Sequence, residues 1–187
     1  MMTYLESLAG DAALLDVFQA FPQLWRPVIE YHERLLRQST AFSAAESELI
    51  AAYVSGLNRC EYCRQIHAAV AERLGVPKGL VDQLLEDVDR APVSERLKAA
   101  LRYARQLTLA PAGIVPDAPA RVLASGCDSA ALHHLVSLTA LFNFMNRVVL
   151  GLGIEPREDY VESAARRLAS DGYLGLLRLL EREGGAG

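Results

Sequence analysis

Residues 55–67 read Ser-Gly-Leu-Asn-Arg-Cys-Glu-Tyr-Cys-Arg-Gln-Ile-His, which places Cys60, Cys63 and His67 at intervals of three and four residues. Each residue of an α-helix turns by about 100°, so side chains three, four and seven positions apart return to nearly the same face. The spacing therefore predicts a helix that carries both thiols and the imidazole on one side. That side continues with Val70 and Leu74, and the opposite side carries Glu61, Gln65 and Glu72. We expect the cluster to be partly buried against neighbouring helices.

The position of the cysteine pair at the start of this predicted helix favours thiol chemistry. The preceding helix breaks at Asn58-Arg59, so Cys60 begins the next one and Cys63 lies in its first turn. Unpaired amides and the helix dipole stabilise an anion there, and a nearby base lowers the pKa of a thiol. His67, one turn beyond the second thiol, supplies that base. The cluster therefore predicts a nucleophile, a resolving thiol and a base at one site.

Two other interpretations of the cluster stay open. The first is a zinc site, in which Cys127 or a His of the pair at 133–134 completes a tetrahedral set of four ligands. Ligands on one straight helix spread poorly around a small ion, which disfavours this site. The second is a catalytically silent helical protein whose cysteines only fill the core. A thioredoxin fold is not predicted, because that motif normally lies in a βαβ unit and the chain has no strand pattern.

The composition favours an all-α fold. The 187-residue chain is 51% hydrophobic, 22% charged and 7% aromatic, and it is rich in Ala and Leu. Such residues lose little conformational freedom in helices. The formal net charge of −4 argues against nucleic acid as a partner, because phosphate recognition needs clustered cations. The length is sufficient for one domain with a substantial core.

Proline, glycine and capping residues divide the chain into about eight predicted helices within a single domain, residues 1–187. We expect three parts: a helical extension at about 1–40, a core with the cysteine pair at about 43–110, and C-terminal helices at about 116–183. The Gly-rich residues 184–187 are expected to form a frayed tail.

A capping box locates the helix before the cysteine pair. Ser43 and Glu46 have the spacing at which a hydroxyl and a carboxylate satisfy the first amides of a helix. We predict that this helix runs to about Leu57 and that the next one runs from Cys60 to Leu74, where Gly and Pro follow.

The sequence predicts a cytoplasmic protein that is not embedded in a membrane. Its first residues lack the basic and apolar regions of a secretory signal. The longest apolar stretch, residues 132–152, is interrupted by His, Asn and Arg, whereas a membrane helix needs about 20 mostly apolar residues. In a reducing compartment, a close cysteine pair is more often redox-active or metal-binding than a structural disulfide.

Residues 55–67 resemble the signature of the alkylhydroperoxidase D-like branch of the carboxymuconolactone decarboxylase superfamily, and more narrowly its peroxidase-related proteins. The resemblance covers residues 43–76 and returns at 141–147 and 152–156. The family pattern has a Glu twelve residues before the first cysteine, which is Glu48 in this chain. The resemblance implies an all-helical bundle that forms homo-oligomers such as dimers, trimers or hexamers. We expect neither a cofactor nor a bound metal ion.

The same resemblance implies a thiol-dependent alkyl hydroperoxide peroxidase or disulfide oxidoreductase in antioxidant defence. A proton relay joins Glu48, His67 and the thiols in this family; by analogy Cys63 attacks the hydroperoxide and Cys60 resolves the product. The implied electron donor is a dithiol or lipoyl-type group. An adaptor role transfers less directly, because alkylhydroperoxidase D has a His where this chain has Tyr62. True carboxymuconolactone decarboxylases lack the cysteine pair, so lactone decarboxylation is not implied.

Periodicity alone does not select Glu48. The main apolar face of its helix lies opposite, and its neighbours Ala51, Ala52 and Ser55 are small enough for another helix to approach closely. We therefore expect Glu48 to be half-buried, with a raised pKa that suits a group that transfers protons.

Other polar residues are interpreted as structural. Cys127 and the adjacent His133 and His134 are expected to pack at helix surfaces or interfaces. Asn146 lies in an otherwise apolar helix, so it needs a hydrogen-bond partner if it is buried.

Overall fold

Regular structure in the computed structural model, which describes residues 3–183, is entirely helical. The elements are α1 (Leu14–Ala20), α2 (Pro22–Leu36), α3 (Ala44–Leu57), α4 (Glu61–Arg73), α5 (Leu80–Glu86), α6 (Glu95–Leu109), a 3₁₀ turn (Pro111–Gly113), α7 (Asp117–Ala124), α8 (Ser129–Gly151), α9 (Glu158–Asp171) and α10 (Leu174–Glu183). The all-α prediction is confirmed. The predicted number of about eight helices is too low, because ten α-helices lie within the described range. The predicted tail at 184–187 lies outside it.

Chain breakers explain why short helices stand as separate elements. Pro22 begins α2 directly after the end of α1, because a residue without an amide hydrogen suits the first turn of a helix. Gly79 precedes α5 with a φ of 77°, a left-handed conformation that glycine adopts without steric cost. Because of these breaks, α1 and α5 are separate helices and do not continue into the helices next to them in the chain.

Helix α3 is the central element of the fold. Its predicted capping box is present: the Ser43 hydroxyl accepts from the Glu46 amide at 3.1 Å, and the Glu46 carboxylate accepts from the Ser43 amide at 2.9 Å. Every residue from Ser47 to Ser55 is buried, because α4, α5, α6 and α8 all pack against α3. The helix therefore has no solvent-facing side at its middle, contrary to the one-sided burial expected from its sequence.

The connection between α3 and α4 is tight and fixes the start of α4. Arg59 has a φ of 55°, and the Cys60 amide donates to the Ser55 carbonyl at 2.9 Å. Gly56 faces α5, where a Cβ atom would lie 2.5 Å from a methyl carbon of Leu85, so a side chain there would have to displace the end of the Leu85 side chain. Cys60 is the N-cap of α4, so the helix begins at Glu61, one residue after the predicted start at Cys60.

The apolar stretch predicted as a buried helix forms most of α8, which is 23 residues long. It packs against α3, α4, α6 and α7, and its Asn146 is fully buried. Within residues 3–183, no helix combines the length and the apolar character needed to cross a membrane.

The predicted N-terminal extension packs with the C-terminal helices α9 and α10 beside the α3–α4 pair. Helix α2 packs against α3, α8 and α10, and α9 packs against α4. The Glu33 carboxylate on α2 accepts from the Tyr173 and Leu174 amides at 2.8 and 3.3 Å, which caps α10. Arg37 donates to the Leu168 carbonyl at 3.0 Å and so joins α2 to α9. The extension therefore supplies residues to the region around the cysteines.

Candidate active site

Cys60 and Cys63 lie at the N-terminal end of α4 as free thiols. Their exposed fractions are 0% and 3%, so the pair is more deeply buried than the partly buried cluster expected from the sequence. The main-chain hydrogen bond to Ser55 holds Cys60 against the end of α3. The pair therefore reacts only with a reagent that enters the protein interior.

The two thiols differ in acidity because a hydrogen bond joins them. The side chain of Cys63, supported by its amide, donates to the Cys60 sulfur and holds the pKa of Cys60 below its ordinary value, although burial opposes this. The same side-chain interaction, together with burial, raises the pKa of Cys63 well above its ordinary value. The first thiolate of the pair therefore forms on Cys60.

Asn146 brings an amide from α8 to both sulfurs. Its side chain lowers the pKa of both Cys60 and Cys63 through hydrogen bonding. Its Nδ2 also donates to the Ser55 hydroxyl at 3.0 Å, and its Oδ1 accepts from Asn58 at 2.9 Å. The partners that the sequence required for this buried amide are thus the thiol pair and the end of α3.

Glu48 is the centre of a buried hydrogen-bond network. Its Oε2 accepts from His67 Nδ1 at 2.6 Å, and its Oε1 accepts from the Tyr173 hydroxyl at 3.0 Å and from Arg37 Nη2 at 2.7 Å. Because a carboxylate can only accept, Nδ1 of His67 carries a hydrogen, and Nε2 is the ring nitrogen that can accept a further proton when the imidazole is neutral. The imidazole packs edge-on against Phe142, with ring centroids 4.5 Å apart. The base is therefore fixed in both orientation and tautomer.

Glu48 differs from the sequence-based expectation in burial and in pKa. It has no exposed surface, because helices pack on every side of α3. Burial alone would raise its pKa, but the charges and hydrogen bonds of His67 and Arg37 outweigh burial and hold the pKa below its ordinary value. The expected raised pKa is wrong. The carboxylate stays ionised at neutral pH and orients the imidazole.

Arg37 and Tyr173 belong to the site but were not found from the sequence. Arg37 lies at the end of α2 and Tyr173 just before α10, far along the chain from Glu48. The guanidinium of Arg37 also lies over the Tyr173 ring, 5.1 Å from its centroid. No local spacing marks either residue. The one available signal is general: a buried carboxylate needs a cation or several donors.

A cavity of about 70 Å³ leads to the site. Cys63, His67 and Tyr173 lie in its wall, and among the described residues Cys60 is not part of it. Most of the remaining wall is aliphatic or aromatic. His32 also lines the cavity, and burial lowers its pKa to about 4, so it is neutral at physiological pH. The cavity therefore gives a small reagent access to Cys63.

The other ligands considered for a zinc site lie elsewhere. Cys127 is buried just before α8, where its sulfur accepts from the Ser125 hydroxyl at 4.0 Å. His134 packs against Phe42, and neither Cys127 nor His134 lines the cavity. In the part of the chain that the structure describes, no three His, Cys, Asp or Glu side chains are placed to share a metal ion.

Residues 22–106 match the family model described as the carboxymuconolactone decarboxylase family. This segment, just under half of the chain, carries the similarity to the family. The matched segment runs from the first residue of α2 into α6 and contains Arg37, Glu48, Cys60, Cys63 and His67. Among curated proteins, none matches the chain significantly.

Two solved structures share the fold of this chain. An uncharacterised peroxidase-related protein from Silicibacter sp. TM1040 has a TM-score of 0.73 and 24% identity, over 79% of this chain and 78% of the other. A second uncharacterised peroxidase-related protein, described as an alkylhydroperoxidase AhpD core from Ralstonia eutropha JMP134, has a TM-score of 0.70 and 23% identity, over 80% and 78%. At these identities the likeness establishes the fold.

The carboxymuconolactone decarboxylase segment does not contain the whole site of this chain. Asn146, which contacts both thiols, and Tyr173, which donates to Glu48, come from beyond residue 106. The C-terminal helices therefore complete the surroundings of both the thiol pair and the carboxylate.

Proposed function

We propose that this protein belongs to the carboxymuconolactone decarboxylase superfamily and is a thiol-dependent peroxidase that reduces hydroperoxides at Cys63 and closes a Cys60–Cys63 disulfide. The observation that carries the proposal is the 2.6 Å contact between His67 Nδ1 and the buried Glu48 carboxylate, which orients a base in the cavity that Cys63 also lines. A thiol, an oriented base and an entry route at one place are the requirements of nucleophilic attack by sulfur.

The first half-reaction oxidises Cys63. His67 Nε2 accepts the proton of the Cys63 thiol, and the thiolate attacks the terminal oxygen of the hydroperoxide ROOH. The O–O bond breaks, and the leaving alkoxide takes the proton from His67 and departs as the alcohol ROH. Cys63 becomes a sulfenic acid, so the sulfur loses the two electrons that reduce the peroxide.

The second half-reaction forms the disulfide. The Cys60 thiolate attacks the sulfenic sulfur of Cys63, and hydroxide leaves and takes the proton that Cys60 released, forming water. A dithiol donor, for which a lipoyl-type group is a candidate, then reduces the disulfide by exchange and restores both thiols. The sum is ROOH plus donor dithiol giving ROH, water and donor disulfide.

The two cysteines differ in their access to the cavity and in their acidity, and both differences support this division of roles. Cys63 faces the cavity, but its thiol has a raised pKa, so it needs an oriented base to become a thiolate. Cys60 ionises first but is absent from the described cavity wall, so peroxide does not reach it directly. An ionised, shielded thiol beside the attacking one is suited to resolving a sulfenic acid.

A thiol count before and after oxidation tests the proposed function. The fully reduced protein is unfolded in denaturant and its thiols are titrated, with and without prior exposure to one equivalent of cumene hydroperoxide. We expect the count to fall from three to one, since Cys60 and Cys63 pair and Cys127 remains. Treatment with a dithiol should restore three thiols.

Cys127→Ser is the matched control, because Cys127 is also buried but does not line the cavity. In this variant the count should fall from two to none. An unchanged count in the native protein after peroxide exposure would overturn the proposal. Stoichiometric zinc in the purified protein, measured by elemental analysis, would instead favour the metal-binding alternative.

We also propose that the chain forms homo-oligomers through an apolar surface on α2 and α8. This α2–α8 surface consists of Phe21, Leu24, Tyr31 and Phe144, which have exposed fractions of 43%, 65%, 43% and 47%. Exposed apolar side chains on neighbouring helices are typical of interaction surfaces, and the family resemblance implies self-association.

Replacing Leu24 by Asp is therefore expected to dissociate the oligomer. A charge at the centre of an apolar interface loses its hydration without gaining a partner. Light scattering coupled to gel filtration measures the mass. Leu109→Asp is the control, since Leu109 is 52% exposed at the far end of α6. Equal masses for the native protein and Leu24→Asp would contradict the assignment of this surface.

A further inference from the structure

The cavity that reaches Cys63 has an uneven distribution of charge. Among its described lining residues, Arg167 on α9 is the one Lys or Arg side chain, and no Asp or Glu lies in the wall. His32 is neutral at physiological pH. The carboxylate of Glu48 lies behind His67 and is already paired with Arg37. The wall as a whole therefore favours a ligand with one negative charge.

Arg167 lies where the cavity meets the surface. The half-buried members of the wall mark this mouth, and they are Leu14, Leu15, Tyr160, Arg167 and Leu176. The fully buried members, which include Ile29, Cys63, Phe142 and Met145, form the inner end. A ligand that lies along the cavity therefore has one end near a cation and the other near a thiol, with apolar surface between them.

Among the described residues, Arg167 has no ion-pair partner and can therefore bind an anionic ligand. None of the described carboxylates forms an ion pair with it, whereas the adjacent Arg166 is paired with Glu162 at 3.4 Å. An arginine at the edge of an apolar cavity has the geometry to bind a carboxylate through two parallel hydrogen bonds. The two neighbouring arginines thus differ in partner and in position relative to the cavity.

We infer that the preferred oxidant is a short aliphatic hydroperoxide whose opposite end is a carboxylate. The carboxylate binds Arg167 at the mouth, the chain lies against the aliphatic and aromatic wall, and the peroxide group reaches Cys63. This inference rests on the proposed function, since it names the oxidant of that reaction. The products are the corresponding hydroxy acid and water.

The experiment compares 6-hydroperoxyhexanoic acid with its methyl ester, which has the same chain and no charge. Turnover is measured with dithiothreitol as the donor and detergent-free substrate below its aggregation threshold. The native protein should prefer the acid, and Arg167→Gln should lower the acid-to-ester ratio of kcat/KM by about 10- to 100-fold, the effect of one charged hydrogen bond. The change should appear in KM, because the carboxylate is bound equally before and during the reaction.

Arg166→Gln is the matched control, and it should leave the acid-to-ester ratio at the native value. A native protein without preference for the acid, or an Arg167→Gln ratio equal to the native ratio, would overturn the inference while leaving the peroxidase proposal intact. A preference that appears only between dihydrolipoate and dihydrolipoamide as donors would also overturn it, because the carboxylate site would then serve the reductant.

A second measurement keeps the inference testable if no hydroperoxide is turned over. Decanoate is unreactive, and its binding at Arg167 should block the cavity and slow alkylation of Cys63 by iodoacetamide, followed by mass spectrometry. Decanol at the same concentration should protect less, and Arg167→Gln should remove the difference. Equal protection by decanoate and decanol in the native protein would reject the carboxylate site independently of peroxidase activity.

Discussion

Replacing Cys63 by Ser is expected to reduce hydroperoxide turnover to the uncatalysed background, a loss of at least about a thousandfold. Cys63 is the thiol that lines the cavity, and a serine hydroxyl neither ionises near neutral pH nor forms the sulfenic acid through which electrons pass. Peroxide consumption with dithiothreitol as donor measures the effect. Cys127→Ser should retain the native rate, since that cysteine lies outside the cavity wall.

The companion variant Cys60→Ser separates attack from resolution. Cys63 can still be oxidised, but the shielded thiolate that resolves its sulfenic acid is absent. We expect one rapid turnover followed by accumulation of a sulfenic acid at Cys63, which dimedone labels and peptide mass spectrometry locates. A dimedone adduct at Cys60 in the Cys63→Ser variant would contradict the assigned order, and would show that the lower pKa of Cys60 matters more than access from the cavity.

Local geometry explains why the sequence predicted the start of α4 and the thiol cluster well. Helical spacing aligns Cys60, Cys63 and His67 without reference to the rest of the chain, and the Ser43–Glu46 capping box is formed within four residues. Both signals depend on interactions between near neighbours. Such features can be predicted from the sequence because they do not depend on residues far away along the chain.

Features that depend on packing were predicted less well. The sequence of α3 has one strongly apolar face, but five other helices, α2, α4, α5, α6 and α8, pack around it, so Glu48 is fully buried. The direction of its pKa then depends on His67 and on Arg37, whose position follows from how α2 crosses the core. Burial without these two partners would have raised the pKa. The prediction was wrong because it considered burial and left out the charges and hydrogen bonds of both partners.

Tyr173 illustrates the same limit at longer range. Its hydroxyl contacts Glu48 because Glu33 on α2 caps the start of α10 and positions the tyrosine. Three segments that are distant in the sequence must therefore be placed before this contact exists. Residue type alone does not distinguish Tyr173 from the other tyrosines of the chain.

Replacing Arg37 by Leu is expected to lower the free energy of unfolding by about 3–5 kcal/mol at neutral pH. The variant leaves the Glu48 carboxylate fully buried without its permanent cation, and the remaining donors, His67 and Tyr173, only partly compensate. Urea unfolding measures the loss. Arg34→Leu, on an exposed face of the same helix, should change stability by no more than about 0.5 kcal/mol.

The effect of Arg37→Leu should depend on both pH and Glu48. The folded-state pKa of Glu48 lies below its ordinary value of 4.5, so the stabilisation from the ionised carboxylate is present above that value and is lost as the pH falls through the folded-state pKa. Protonated Glu48 no longer needs a cation. Because removal of Arg37 raises the pKa of Glu48, the difference between native and Arg37→Leu stability should narrow as the pH falls towards the lowered folded-state pKa of Glu48 in the native protein.

A double-mutant cycle isolates the ion pair from the other contacts of Arg37, which include the Leu168 carbonyl and the Tyr173 ring. In a Glu48→Gln background no buried charge is left unpaired, so Arg37→Leu should cost clearly less than in the native protein. Equal costs in the two backgrounds would mean that Arg37 stabilises the fold through packing alone. The ionised form of the Glu48 carboxylate would then be stabilised by His67 and Tyr173 and not by Arg37.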